Sequence, residues 1–198
     1  DRALLYNPDA IALWLYQNYT HLFTDAMVCS QLAIPMLSVM PSVTPVCFGS
    51  MYTGLMPDDH GIKKYVKPVL TVDTIFDYFI RAGKKCAIVS TTGDSISEIF
   101  LNREMDYFIY DTVEEINLKA LELIEKDEYD LLVVYNANYD GTMHKTGPEA
   151  PEAMEALKAN IWTYQRLVQA VDELLTPAAA AARPVIAGRQ MGGTYSQK

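Results

Sequence analysis

A threonine followed by a proline sits at the centre of the most distinctive stretch of the chain. This is Pro41-Ser42-Val43-Thr44-Pro45-Val46-Cys47-Phe48-Gly49-Ser50-Met51-Tyr52-Thr53-Gly54, continued by Pro57-Asp58-Asp59-His60-Gly61-Ile62. Thr44-Pro45 reads as a helix start. Threonine is a good N-cap, and proline fits the first helical position because its missing N–H would have no partner there. The first-turn N–H groups and the positive end of the helix dipole then face whatever lies beside the Thr44 hydroxyl, and both suit a phosphate. A hydroxyl so placed can attack phosphorus once its pKa is lowered. A metal ion does that best, because threonine alone is a weak nucleophile. From the residues alone, an ordinary capped helix in a loop-rich connection is the competing reading.

A second constellation lies far downstream, in Asn138-Tyr139-Asp140-Gly141-Thr142-Met143-His144-Lys145-Thr146-Gly147-Pro148. Carboxylate and imidazole together suit zinc, a borderline-soft ion that accepts oxygen and nitrogen ligands. The spacing of Asp140 and His144 lets both side chains face one point, on a helical turn or a curled loop. A solvated aspartate beside an unrelated loop histidine is the plainer alternative.

The surrounding pattern alternates strands with helices. Ala3 to Tyr6 is a short apolar run, broken by Asn7-Pro8-Asp9, which reads as a buried strand ending in a turn. Asp9 is positioned to cap a helix over Ala10 to Phe23, and Met27 to Leu32 has the composition of a second strand. Val72 to Ala82 is amphipathic and is ended by Gly83. Cys86 to Val89 and Tyr107 to Tyr110 read as strands, with a turn at Thr91-Thr92-Gly93-Asp94 and a short helix over Ser95 to Phe100 between them. Thr112 and Glu115 form a capping box for a helix reaching about Lys126. Leu131-Leu132-Val133-Val134 is a continuous apolar run, as in a strand buried on both faces of a parallel sheet. The polar stretch from Asn136 to Pro148 reads as a loop, followed by a long helix from Glu152 to Leu175. Met154, Leu157, Ile161, Tyr164, Val168, Val171 and Leu175 mark its apolar stripe, which suits a helix packed on a sheet better than a coiled-coil seam. Pro184 to Ala187 is a candidate last strand. The expected fold is α/β, a doubly wound, mostly parallel sheet with helices on both faces. Such sheets bind ligands beyond the carboxyl ends of their strands, the edge where Asp9, Thr44 and the loop after Val134 would fall.

Composition narrows the partners. The 198 residues are half hydrophobic and carry a net charge of −9. That acidity argues against a nucleic-acid groove or an anionic membrane surface as partner. It would also repel a phosphorylated substrate unless bound cations reverse the sign at the site, so an acidic phosphate-handling chain implies metal. Cys29, Cys47 and Cys86 are odd in number, widely spaced and form no CxxC pair, which suits a reduced, cytoplasmic protein. No stretch is long and apolar enough to span a membrane and no signal peptide is visible, although a removed leader stays open. Nothing in the residues sets the oligomeric state.

The string P-S-V-T-P-V-C-F-G-S-M-Y-T-G-L-M-P-D-D-H-G-I resembles the nucleophile segment of the alkaline phosphatase superfamily, and most of all its nucleotide pyrophosphatase/phosphodiesterase branch. There P-T-x-T-x-P-N, then T-G, then P-x-x-H-G-I recur. The D-x-x-x-H-x-x-G-P of Asp140 to Pro148 matches a second motif of the same superfamily. The resemblance implies Thr44 as nucleophile and Asp140 with His144 as ligands of one metal. It makes Asp9 the candidate aspartate that shares the other metal with Thr44, against a plain N-cap role, with Asp1 a weaker candidate. It implies two divalent ions, zinc first and manganese second. Cys47 falls where the branch carries an asparagine that holds a phosphoryl oxygen, and a thiol is a poor replacement donor. His60 falls in a turn that supports the site, and His21 reads as an ordinary helix-end histidine. The implied function is hydrolysis of a small phosphorylated substrate, a phosphodiester or nucleotide pyrophosphate, through a phospho-threonine intermediate. The alternatives are a non-catalytic phosphate-binding domain of the same fold, or a phosphomonoesterase or phosphomutase relative.

The resemblance covers about Ala3 to Leu175. Superfamily members continue to a strand ending in Asp-His-Gly and to a further histidine. Here Gly188-Arg189-Gln190-Met191-Gly192 follows Pro184 to Ala187, so Arg189 and Gln190 stand in place of those ligands, and no histidine follows His144. The alkaline-phosphatase-like core is therefore expected over residues 1–177 and to be incomplete, with residues 178–198 an atypical, alanine-rich tail or a remnant strand of that core. Truncation or an altered tail is the expected cause.

Overall fold

The alternation of side chains along each strand decides how the molecule is layered. In a computed structural model, which describes residues 2–175, β1 (Ala3–Pro8) is followed by α1 (Leu13–Asn18), a 3₁₀ turn (Thr20–Phe23) and α2 (Thr24–Val28). Then come α3 (Thr44–Thr53), α4 (Pro57–His60), α5 (Ile75–Arg81), β2 (Cys86–Thr91), α6 (Ser95–Ile99) and β3 (Asp106–Tyr110). The described chain ends with α7 (Val113–Lys126), β4 (Leu131–Asn136), α8 (Asn138–Thr146) and α9 (Pro151–Leu175). The strands form one parallel sheet in the order β1-β4-β2-β3. In register, Tyr6 lies opposite Val134, and Val134 opposite Val89. β4, the last described strand in sequence, is thus inserted between β1 and β2, and the crevice beside its carboxyl end is the ligand position of doubly wound sheets.

Odd positions of β4 (Leu131, Val133, Tyr135) join Cys86 and Ile88 of β2 on one face, against Val46, Phe48 and Tyr52 of α3 with Phe76, Ile99 and Phe100. Even positions (Leu132, Val134) join Leu4, Tyr6, Ala87 and Val89 on the other, against Ile116, Ala120, Leu123 and Ile124 of α7 and Leu167 of α9. An aromatic cluster anchors α3 to the first face. Tyr52 lies 5.3 Å from Phe76 and 4.9 Å from Phe100, and Phe48 packs edge-on to Tyr135 at 5.3 Å. Each such pair contributes about 0.5–1.5 kcal/mol beyond area burial. Among the described residues no helix is long and apolar enough to cross a membrane.

Several expected elements are corrected. The single helix over Ala10 to Phe23 is replaced by α1 and the 3₁₀ turn: Ala10 adopts φ 62°, so α1 begins only after Ala12, and Tyr19, at φ −124° and ψ 36°, separates the two segments. Asp9 therefore caps no helix. Met27 to Leu32 is no strand but the end of α2 and an irregular run, since Phe23 and Ala26 pack with α9 rather than beside the sheet. The stretch after β4 is helical where a loop was expected. Gly141 and the threonines of α8 are poor helix formers, but Tyr139 and Met143 pack against Ala153 and Leu157 of α9, and that tertiary contact overrides propensity. The stripe of α9 is no coiled-coil seam. It covers α8 with its first half and lies beside α7 over the sheet with its second. The candidate strand Pro184 to Ala187, Arg189, Gln190, the tail and Asp1 lie outside the described residues.

Candidate functional site

β1 and α3 bring the first pair of groups together. Asp9 stands one residue past the end of β1, with its N–H donating to Asn136 O at 3.0 Å and its side chain 1% exposed. Thr44 was expected as the N-cap of α3, but Val43 holds that position and Thr44 is the first helical residue, with Pro45 next. No side chain caps α3 among the described residues. The Thr44 hydroxyl instead donates across the crevice to Asp9 Oδ2 at 3.0 Å. Gly54, at φ 73°, ends the helix in a left-handed cap that side-chain-bearing residues adopt at a cost.

The second pair comes from α8. Asp140 lies in its first turn and His144 in its last, which sets His144 Nε2 at 3.3 Å from Asp140 Oδ1. Thr44, Asp140 and His144 line one cavity of about 950 Å³, so the two expected constellations share a hollow. Ser42, Tyr65, Lys67, Asp94 and Tyr135 line it too. Cys47 is buried on α3 and is not among these lining residues. His60 is buried behind α3, its Nδ1 accepting Ile62 N–H at 3.2 Å and its Nε2 lying 3.1 Å from Ser50 Oγ. A Cβ on Gly49 would meet His60 Cε1 at 2.5 Å, so the helix glycine and the imidazole require each other. His21, at the last turn of the 3₁₀ segment, takes no part in the cavity lining.

Three cavity groups were not singled out from the sequence. Tyr135, the penultimate residue of β4, donates to Asp9 Oδ2 at 2.5 Å, and burial together with the Asp9 carboxylate raises its phenol pKa well above the usual range. Its signal was available: it is a polar-tipped aromatic closing an apolar strand, in phase with Leu131 and Val133 on the α3 face. Asp94 follows β2, accepts from Ser90 Oγ and Thr91 N–H, each at 2.9 Å, and is pushed up chiefly by burial. Lys67 donates to Gly93 O and lies 5.7 Å from the Tyr65 ring centroid. It is the single lysine or arginine among the described lining residues.

The donors suit a divalent ion in kind. Carboxylate oxygen, hydroxyl and imidazole are ligands for borderline or hard cations. In number they form two pairs, since among the described residues no group of three or more His, Cys, Asp or Glu side chains converges. Two donors per ion leave the other coordination positions to groups outside the described residues, to water or to substrate.

The family of type I phosphodiesterases/nucleotide pyrophosphatases matches the chain over residues 8–78, which includes Asp9, Thr44, Cys47, His60 and Lys67. No curated protein matches it in sequence. Among solved structures, murine ectonucleotide pyrophosphatase/phosphodiesterase 5 is similar at TM-score 0.67 and 16% identity, over 87% of this chain and 53% of that one. An inactive threonine-to-alanine variant of the same murine protein, in complex with AMP, gives TM-score 0.68 at 16% identity over the same shares of 87% and 53%. Phosphonoacetate hydrolase from Sinorhizobium meliloti 1021, in complex with phosphonoformate, gives TM-score 0.62 at 18% identity, again over 87% and 53%. The chain thus spans about half the length of the solved structures it matches. In sequence over residues 8–78, and in fold over 87% of its length, the chain resembles the nucleotide pyrophosphatase/phosphodiesterase branch of the alkaline phosphatase superfamily.

Proposed function

We propose that the chain carries the nucleophile segment of a metal-dependent hydrolase of phosphate esters, either phosphodiesters or nucleotide pyrophosphates, with Thr44 as nucleophile. The observation that carries this reading is the Thr44 hydroxyl donating to buried Asp9 at the mouth of α3, in the same cavity as Asp140 and His144. The inactivity of the murine threonine-to-alanine variant supports a threonine nucleophile, and its AMP supports a small phosphorylated substrate.

Asp140 and His144 would hold one ion, and Asp9 with Thr44 the other. When bound, two divalent ions, zinc first by donor softness and manganese second, supply the charge that lowers the hydroxyl pKa and neutralises phosphoryl oxygens. The chain does the rest. Asp9 Oδ2 takes the hydrogen bond of the Thr44 hydroxyl, which leaves an oxygen lone pair to meet phosphorus. As Thr44 Oγ1 bonds to phosphorus its proton passes to solvent, and the ester oxygen in line with it leaves with the P–O bonding pair and takes a proton from water, which gives a phospho-threonine. Water then attacks that phosphorus, breaks the Oγ1–P bond and restores the hydroxyl. Lys67 uses one of its three N–H donors on Gly93 O, and the others are available to a phosphoryl oxygen.

Thr44→Ala tests the reading. With a chromogenic phosphodiester and Zn²⁺ or Mn²⁺, the variant should lose turnover by about 10³-fold or more while its circular dichroism and unfolding midpoint stay those of the parent. Metal-dependent turnover retained in that variant refutes the assignment. A parent that binds phosphate but turns over neither mono- nor diesters would favour the non-catalytic alternative.

A further inference from the structure

Asp9 Oδ2 receives two donors at once. Thr44 Oγ1 reaches it at 3.0 Å and the Tyr135 hydroxyl at 2.5 Å, while Oδ1 takes the Ala10 N–H at 2.8 Å. Tyr135 is seated independently of this carboxylate. It is the penultimate residue of β4, is 4% exposed, and its ring packs edge-on against Phe48 with centroids 5.3 Å apart. Phe48 follows Thr44 by one helical turn of α3, so the face that presents the hydroxyl also presents the ring that seats the phenol. A closed circuit runs from Thr44 through Asp9 and Tyr135 to Phe48, and back along one turn of helix. Both Asp9 and Tyr135 are buried, so water has little access to replace the phenol as donor.

We propose that Tyr135 is a positioning residue for the Thr44–Asp9 pair. Its O–H donates to the Asp9 carboxylate and sets the plane of that group, so that Asp9 meets Thr44 and a bound divalent ion in a single orientation. The part that concerns the ion rests on the function proposed above; the ordering of Asp9 does not. Carboxylates that ligate metals depend on such outer partners, and losing one lowers metal affinity or activity by about 10–100-fold.

Tyr135→Phe removes the oxygen and keeps the ring on Phe48. Tyr52→Phe is the control, because Tyr52 is a buried phenol of the same aromatic cluster whose oxygen accepts from Asn7 Nδ2 at 3.0 Å. In the metal-free, isotope-labelled chain, the Asp9 carboxyl carbon and Thr44 side-chain resonances should move in Tyr135→Phe and hold in Tyr52→Phe. In calorimetric titration with Zn²⁺ or Mn²⁺, Tyr135→Phe should bind about 10–100-fold more weakly, and Tyr52→Phe should match the parent. An unmoved Asp9 carbon in Tyr135→Phe, or parental metal affinity in that variant, overturns the inference. Equal losses of affinity in both variants also overturn it, since they would report general loosening of the core. If the Asp9 signals move as expected but the parent binds neither ion, the functional reading falls and the hold of Tyr135 on Asp9 stands.

Discussion

A hydroxyl is only as reactive as the groups that orient it, and at Thr44 those groups are a carboxylate, a phenol and the mouth of a helix. Thr44 was legible in the sequence because a threonine before a helix-starting proline is a local pattern. Its partner was half legible. Asp9 could be placed at a strand end, but a capping role competed with a place beside Thr44, and the positive φ of Ala10 and the hydrogen bond from Thr44 separate the two. Tyr135 and Lys67 were not singled out because their parts depend on contacts across 126 and 26 residues of chain. Lys67 carries a prediction at this scale. Under the function proposed above, an acidic chain needs a positive group where a phosphodiester would enter, and Lys67 is one among the described lining residues. Lys67→Met should raise KM for a phosphodiester about tenfold, the loss of one charge-assisted hydrogen bond, with a smaller change in kcat. Steady-state kinetics with an unchanged KM would remove Lys67 from the site.

Helix α3 is held by the aromatic contacts of Phe48 and Tyr52 and by a second kind of contact, the close approach of Gly49 to His60. The second contact makes the element sensitive to acid. Nδ1 of His60 accepts the Ile62 N–H, which requires a neutral ring, and burial holds its pKa below the ordinary 6.5. An unfolded chain therefore takes up this proton at higher pH than the folded one. The His60 contribution is complete above pH 6.5 and is lost as pH falls from there through the folded-state value. Urea midpoints of the parent should decline across that window, and His60→Gln should flatten the decline; an equal slope in both would show that His60 does not set it. The Thr112–Glu115 capping box, apolar runs and the amphipathic stripe of α7 made most elements readable, since each is a local signal. The breaks did not read. A continuous helix over Ala10 to Phe23 fails at Ala10 and again at Tyr19, and α8 forms only because α9 covers Tyr139 and Met143. These are tertiary effects acting on segments whose own propensity points elsewhere.

Across the whole molecule, the strand order β1-β4-β2-β3 converts three distant segments into one hollow. β1 leads to Asp9, which backs the lining residues Thr44 and Tyr135, β4 delivers Tyr135 and, through α8, Asp140 and His144, and β2 leads to Asp94. Fold class was legible because alternating strands and helices with a doubly apolar Leu131–Val134 run admit few architectures. Strand order was not, because pairing of β4 between β1 and β2 leaves no local trace. The cavity collects carboxylates in a chain of net charge −9, so phosphate binding there demands cations. The most direct measurement is a rapid acid quench of the chain during incubation with a chromogenic phosphodiester and Zn²⁺ or Mn²⁺, followed by peptide mass mapping. A mass increase for the phosphoryl adduct, located on Thr44 and dependent on the metal, is the predicted result. Turnover accompanied by an adduct on another residue, with Thr44 unmodified, would contradict it.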